Sequence, residues 1–515
     1  MIWLVGVALA GESQLWGSQG ELWESAGRLP DFTTAGYQGG EPPPSPEVTA
    51  SVMDFGAVGD GVTDDTAAFK AAILATTGAL EIPAGRYLIT DVLEIQQSDL
   101  VLRGAGPQST ILVYPQSLAD IRGEAVQWSW NGGLIWISSP ESGAQLGTVA
   151  SAVRGDREIS IGDTSGLSAG DLVELRMSDD EARSLGWHLH NDQEEPGDCD
   201  YQVPLTLNWP VRIAEVVDGS TLRLVQPLRT DIRQEWTPTL WTFPAITEVG
   251  VESLAFEFPE IDYAGHLNEP GYNAIFVRDG VADAWFRDLL FINSDNGLLV
   301  DRGVKNVSAL NLEFQGRKGH HGFNIAFSAD GLYSDIHYAQ DHMHSITVDH
   351  RANGNVFQRV SAEPEQVLEL DHHRDSPFEN LFTAFTAEVN FVNGGNFCAG
   401  IPGGARTTTW GLPTPLIPPY WDHAQVNLVG NITDDQESLT DDQEWLEPVQ
   451  DLQPRNLYLA QRAYAQGEEY WDTGVAQDTG DGPVDPEGCG GCGGGGIGGL
   501  WAAGALLLLA RRREL

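Results

Sequence analysis

Short apolar segments recur along the second half of this chain at a nearly constant interval, and that interval narrows the fold more than any other feature. Asp288–Asn293, Ala309–Phe314, Ser334–Ala339, Phe357–Ala362 and Phe382–Ala387 begin 21, 25, 23 and 25 residues apart. A second set, Gly297–Asp301, Phe323–Phe327, Ser345–Asp349 and Val367–Asp371, keeps step with the first. Each segment has the length of a strand, and the gaps leave no room for the helical crossovers of βαβ units. A fixed period without sequence identity marks stacked coils, each burying its apolar face on its neighbours. The expected fold class is all-β: a parallel β-helix.

The start of such a solenoid exposes unpaired strand edges and needs a cover. Residues 51–75, SVMDFGAVGDGVTDDTAAFKAAILA, supply one. Val52 to Phe55 reads as a short strand, and Gly56, Gly59 and Gly61 as turns. Asp64 or Asp65 caps a helix whose apolar face is Ala68, Phe69, Ala72 and Ile73. The segments Ile82–Ile89, Val92–Ile95 and Leu100–Gly104 follow as broken short strands. DFGAVGDGVTDDTAAFKAAI, then IPAGRYLI and LVLRGAG, resembles the N-terminal signature of the pectate lyase and rhamnogalacturonase superfamily. The resemblance implies an N-terminal capping helix on the first coil of a right-handed parallel β-helix. The motif carries no catalytic residue.

The expected organisation runs in seven parts. Residues 1–10 (MIWLVGVALA) form an apolar stretch ending in an A-L-A cleavage pattern, read as a signal peptide. Residues 11–48 form a polar arm or linker ending in a Pro-rich run. Residues 49–107 hold the cap and first coils. Residues 108–246 form an inserted β-rich subdomain with hairpin strands at 155–176 and 212–229, whose loop 184–209 either overhangs a groove or packs. Coils resume over 247–466 and end in a helix over 456–466, with a stripe of Leu457, Leu459, Ala460 and Ala463 covering the C-terminal end. A Gly- and Asp-rich tether spans 467–488. Residues 489–515 join a C-G-G-C pair, a short apolar stretch and Arg511–Arg513. This order resembles the C-terminal sorting tag of myxobacterial exported proteins, which implies export, processing by a sorting protease at the membrane, and retention at the surface.

Charge removes one class of partner. The chain has 74 acidic and 28 basic residues, a net charge of −46, with Lys70, Lys305 and Lys318 its only lysines. That surface repels phosphate backbones, so nucleic acid is not an expected partner. An anionic glycan needs a local basic patch.

Eight of the twelve histidines fall between 320 and 373. Equivalent positions of successive coils stack about 4.8 Å apart. The turn after the first strand set therefore stacks Asn293-Ser294-Asp295, Arg317-Lys318-Gly319-His320-His321, Asp341-His342-Met343-His344 and Glu363-Pro364-Glu365. A second column holds Asp349-His350-Arg351 above Asp371-His372-His373-Arg374, and a strand of about five residues, roughly 16 Å, separates the two columns. The second column reads as a ladder that satisfies turn amides.

The first column suits two chemistries. Hydrolysis of a glycosidic bond uses two carboxylates, here Asp295 with Asp341, or Asp341 with Glu363. β-Elimination from a uronic acid uses a base and cations, here Lys318, Arg317, His320, His342 and His344. The expected catalytic residues are Asp295, Lys318, His320, Asp341, His342 and His344. Those expected to bind substrate are Arg317, His321, His350, Arg351 and Glu363. Asn293-Ser294-Asp295 and Gly319-His320-His321-Gly322 resemble two motifs of the polygalacturonase-like members, whose double Asp and Arg-x-Lys this chain lacks. The expected function is an exported enzyme, hydrolase or lyase, acting on a polysaccharide; the alternative is a non-catalytic surface glycan-binding protein or adhesin. No cofactor is assigned, and Ca2+ goes with the lyase alternative. No metal ligands are assigned either: Cys489 and Cys492 lack a second pair, and the spacing of Asp341, His342 and His344 on a turn is unspecific. Whether Cys199 and Cys398 pair is open.

Overall fold

The computed structural model describes residues 11–192, 205–393, 402–414, 423–430 and 444–472. The apolar start, all four cysteines, most of the tether and the C-terminal tag lie outside the described residues.

Two parallel sheets wind around one apolar core. The first has fifteen strands, and its path includes Leu100–Gly104, Val249–Glu257, Ala284–Ile292, Ser308–Gln315, Leu332–Tyr338, Val356–Ala362 and Leu381–Thr383. The second has eight, from Leu93–Ile95 and Ile135–Ser138 through Asn273–Arg278, Asn296–Val300, Gly319–Ala326, His342–Asp349 and Val367–His372 to Glu388–Asn393. A third, short ladder runs through Lys305, Ala329, Asn353 and Phe378. The paired residues Phe286, Ala309, Tyr333, Phe357 and Phe382 lie 23, 24, 24 and 25 positions apart, so the first coil step is 23 and not 21. This register stacks like on like in the core. Phe256, Phe291, Phe314 and Tyr338 form one aromatic column, with ring centroids 4.9–5.4 Å apart. Such pairs add about 0.5–1.5 kcal/mol each beyond their burial.

The capping helix is Thr66–Ala75, and Ala68, Phe69, Ala72 and Ile73 are its buried face, as the pattern requires. Asp64 accepts from the Thr66 N–H at 3.0 Å. Asp65 instead ties the preceding glycine turn, accepting from the N–H groups of Val58 (2.6 Å) and Gly59 (3.1 Å).

Several sequence expectations change, and Val52–Phe55, expected as a strand, is a 3-10 helix. The coils continue beyond 108: Thr110–Val113 and Ile135–Ser138 pair with coil strands, and the inserted six-stranded antiparallel sheet spans Gln145 to Thr242. Of the 184–209 loop, Ser184–Leu189 is a helix packed into that subdomain through Leu185 and Leu189, and residues 206–209 begin the strand Thr206–Val216. Residues 11–48 are not a linker. They run along the outer face of the long sheet, from Gly11 paired with Leu452 to Val48 paired with Ala79 in the first coil. Apolar side chains anchor them there, because Trp16, Leu29, Phe32 and Ala35 bury against Leu332, Val356, Leu381 and Trp410. The final helix, Leu457–Gln466, buries Leu457, Tyr458, Ala460 and Gln461, and it packs on this strap and the flank of the sheet.

Candidate functional site

The site grows from the start of the eight-stranded sheet. Register aligns Asn273, Asn296, His321 and His344 in one column. A Cβ on Gly297 would sit 2.3 Å from the Phe314 ring, and one on Gly322 would sit 2.5 Å from the Tyr338 hydroxyl. Glycine is therefore required at both positions for the core aromatics to reach under the strands. The column is fixed by hydrogen bonds. Asn296 donates to Asn273 (2.5 Å) and to the Ser129 carbonyl (3.0 Å), and its Oδ1 lies 2.9 Å from His321 Nδ1.

Three of the expected histidines come together here. The rings of His320 and His321 stack with centroids 4.0 Å apart, and His344 lies 5.5 and 5.4 Å from them. His266 joins from the 259–272 loop, 5.0 Å from His320 and 5.6 Å from His344. Two carboxylates back the cluster: Glu269 Oε2 lies 3.5 Å from His320 Nδ1, and Asp371 Oδ2 lies 3.5 Å from His344 Nδ1. Asp371 also meets His373 Nδ1 at 2.9 Å. Asp371 and His373 thus reach the first column, although the strand spacing places them apart from it.

Asp295 and Arg317 hold the loop. Asp295 is buried and accepts from Arg317 (2.7 Å) and from the N–H groups of Gly271 (3.1 Å) and Tyr272 (2.8 Å), so its oxygens are engaged in positioning. Lys318 and Asp341 pair at 3.0 Å on the exposed rim. The other expected residues lie elsewhere. His342 enters the solenoid core, its ring 5.4 Å from both Phe314 and Tyr338. Glu363 is exposed beside His337 at 3.5 Å. His350 and Arg351 sit at the far end of the strands, pairing with Asp349 and Asp375 and lying over Phe327.

Burial favours the neutral form of His320, His321 and His344. Burial, then the neighbouring His344 and His266, push His320 down to about 2, with a backbone contact to Ser129 opposing them. Burial also lowers His321 and His344, and Asp371 offsets part of the effect at His344. At His373 burial opposes charging, but the hydrogen bond to Asp371 and the charges of Asp349 and Asp371 outweigh it and raise the pKa. Burial raises Glu369 beside them. The site therefore sets imidazoles whose charging burial disfavours beside Lys318 and beside His373, whose charged form Asp371 favours.

His266 and Glu269 have no counterpart in the sequence reading, since a lone His-x-x-Glu in a Gly- and Pro-bounded loop carries no signal. Asp371 and His373 were visible as residues but belonged to the other column. Among the described residues no helix is long and apolar enough to cross a membrane.

Residues 49–129 match the family model described as rhamnogalacturonase A/epimerase, pectate lyase-like. Over 115 residues the chain is 32% identical to the pre-neck appendage protein of Bacillus phage phi29, a stretch covering 21% of this chain and 13% of that protein. Among solved structures it is similar to the tailspike protein gp49 of Pseudomonas phage LKA1 (TM-score 0.46, 14% identity, 74% of this chain and 67% of that one). It is also similar to the A-module of the Azotobacter vinelandii mannuronan C-5 epimerase AlgE4 (0.35, 13%, 74% and 77%). A third is the family 28 exopolygalacturonase of Yersinia enterocolitica (0.30, 14%, 80% and 79%). The parallel β-helix follows from the strand registers themselves, and the match to the rhamnogalacturonase A/epimerase, pectate lyase-like model lies at its N-terminal end.

Proposed function

We infer that this chain is an exported, surface-directed enzyme that cleaves a polysaccharide at the cluster of His266, His320 and His344. The observation that carries the reading is a cluster of imidazoles, His320 and His344 buried and His266 exposed, near Lys318 and the Asp371-bonded His373 on one flank of a parallel β-helix. Elimination from a uronic acid is favoured over hydrolysis. Hydrolysis needs two carboxylates across the bond, and here Asp295 is tied to the loop while Glu269 and Asp371 back histidines. In elimination a neutral imidazole takes the proton α to the uronate carboxyl, the β carbon–oxygen bond breaks, and the departing oxygen takes a proton. Lys318, with His373 when it carries a proton, neutralises the charge that grows on the carboxylate, a local positive contribution on a chain of net charge −46. Export rests on the apolar start and the tag-like end.

The test is a panel of uronate and neutral glycans. An unsaturated-uronate ultraviolet band is expected with a uronate, and His320→Ala and Lys318→Ala should each lower turnover about 100-fold with unchanged circular dichroism. Reducing ends without that band would replace elimination by hydrolysis. No product from any glycan, with binding retained, would replace the enzyme by a glycan-binding protein.

A further inference from the structure

We propose that His266, His320 and His344 form a three-imidazole site for a divalent transition metal of the zinc type, its fourth position open to solvent beside the exposed His266. The inference deepens the proposed function but rests on geometry that stands without it. One ligand nitrogen from each ring lies within 4.8 Å of the other two. Zinc holds imidazole nitrogens at about 2.0–2.1 Å, so a tetrahedral set needs them roughly 3.3 Å apart. The required contraction is small, and one contributor, His266, is an exposed residue on a loop.

Burial gives the second, independent indication. Among the described residues, His344 Nε2 is shielded from solvent, faces no carboxylate and makes no hydrogen bond. Buried polar atoms are ordinarily satisfied, and such an orphan calls for an unrecorded partner. The carboxylates complete the pattern. Metal-bound histidines usually face a carboxylate with the nitrogen that does not bind, which fixes the tautomer and the ring angle. Asp371 stands 3.5 Å from His344 Nδ1 and Glu269 stands 3.5 Å from His320 Nδ1. Glu269 Oε2 itself has no hydrogen-bond partner. Support is built in as well: His321 stacks on His320, and Asp295 holds the loop that bears His266.

Three imidazoles with one open position select zinc, cobalt, nickel or copper. They do not suit calcium, which takes six to eight oxygen ligands. With the metal bound, hydroxide at the open position would replace a free imidazole as the proton acceptor of the proposed elimination.

The experiment uses the full chain carrying Cys489→Ser and Cys492→Ser, so that thiolates do not compete. The protein is stripped with chelator, reloaded with zinc or cobalt(II), desalted and assayed by mass spectrometry and visible absorption. One equivalent per chain and a tetrahedral cobalt spectrum are expected. His266→Ala should abolish retention while circular dichroism is unchanged, and His344→Ala should do the same. Asp371→Asn and Glu269→Gln should weaken binding about 10–100-fold, and His350→Ala, in the distant cluster, should leave it intact. No retained metal, or retention unaffected by His266→Ala, overturns the site. Glycan cleavage by metal-free protein overturns the metal's role and leaves the enzyme reading standing. Stoichiometric metal without cleavage of any glycan sustains the site and removes the enzyme reading.

Discussion

Two histidines two residues apart, His342 and His344, meet opposite fates, and the difference makes the site. Alternation along a strand places positions i and i+2 on one face. Here the inward positions at the start of the sheet are taken by Gly297, Gly322 and Ser345, beneath which Phe314 and Tyr338 pack; the Tyr338 hydroxyl donates to the Ser345 carbonyl at 2.8 Å. Asn296, His321 and His344 consequently turn outward, while His342 stays in the core. Burial holds His342 down at about 3. Its native pKa is thus below its unfolded value of about 6.5. Between those values the unfolded chain binds a proton that the native chain does not, so stability falls as pH drops. One such proton is worth about 1.4 kcal/mol per pH unit. Urea unfolding at pH 6 and pH 4 should show this loss, and His342→Phe should flatten the dependence by one proton's share. An unchanged dependence would mean that His342 is not held neutral.

At the scale of elements, the inserted sheet is seated on the coils by buried charge. Arg229 is fully buried and meets Asp330 at 2.6 Å and Glu379 at 3.4 Å, while Arg154 (2.6 Å) and Arg406 (2.7 Å) also pair with Glu379, and Lys305 with Asp330. A buried pair contributes little by itself, but removing one partner strands the other. Arg229→Ala should therefore cost about 3 kcal/mol, read as a lower urea midpoint. An effect within experimental error would mean that water reaches the network. The sequence shows the hairpin over 212–229, because its Asp218-Gly219 turn and alternation are local, but the strands within 155–176 pair with those of that hairpin and not with each other. It misplaces the subdomain's start, because Thr110–Val113 and Ile135–Ser138 are coil strands separated by the short helix Leu118–Arg122 and irregular chain, which hides the period.

Across the whole molecule, the N-terminal strap and the C-terminal helix close one flank of the solenoid together. Gln461 accepts from the Phe32 N–H and donates to the Pro30 carbonyl (both 2.9 Å), and the Tyr458 hydroxyl donates to the Ala35 carbonyl at 2.8 Å. Phe32 is fully buried in this seam, and Phe32→Ala should cost about 3–5 kcal/mol. It should also speed protease cleavage within residues 11–48; an unaltered digestion rate would show that the strap is held by its polar contacts alone. A Pro-rich polar stretch read in isolation looks like a linker, since its few apolar anchors acquire meaning only against the sheet they cover. The sequence by itself determined the β-helix, its coil period and its capping helix, because each is written in local hydrophobic spacing and turn chemistry. It also marked the histidine-rich coils. Only the tertiary structure decided which histidines meet, since that depends on where core aromatics displace a strand's inward positions and on a loop that brings His266 and Glu269 across the coils. Proximity between distant segments is set by packing, and local pattern carries no record of it.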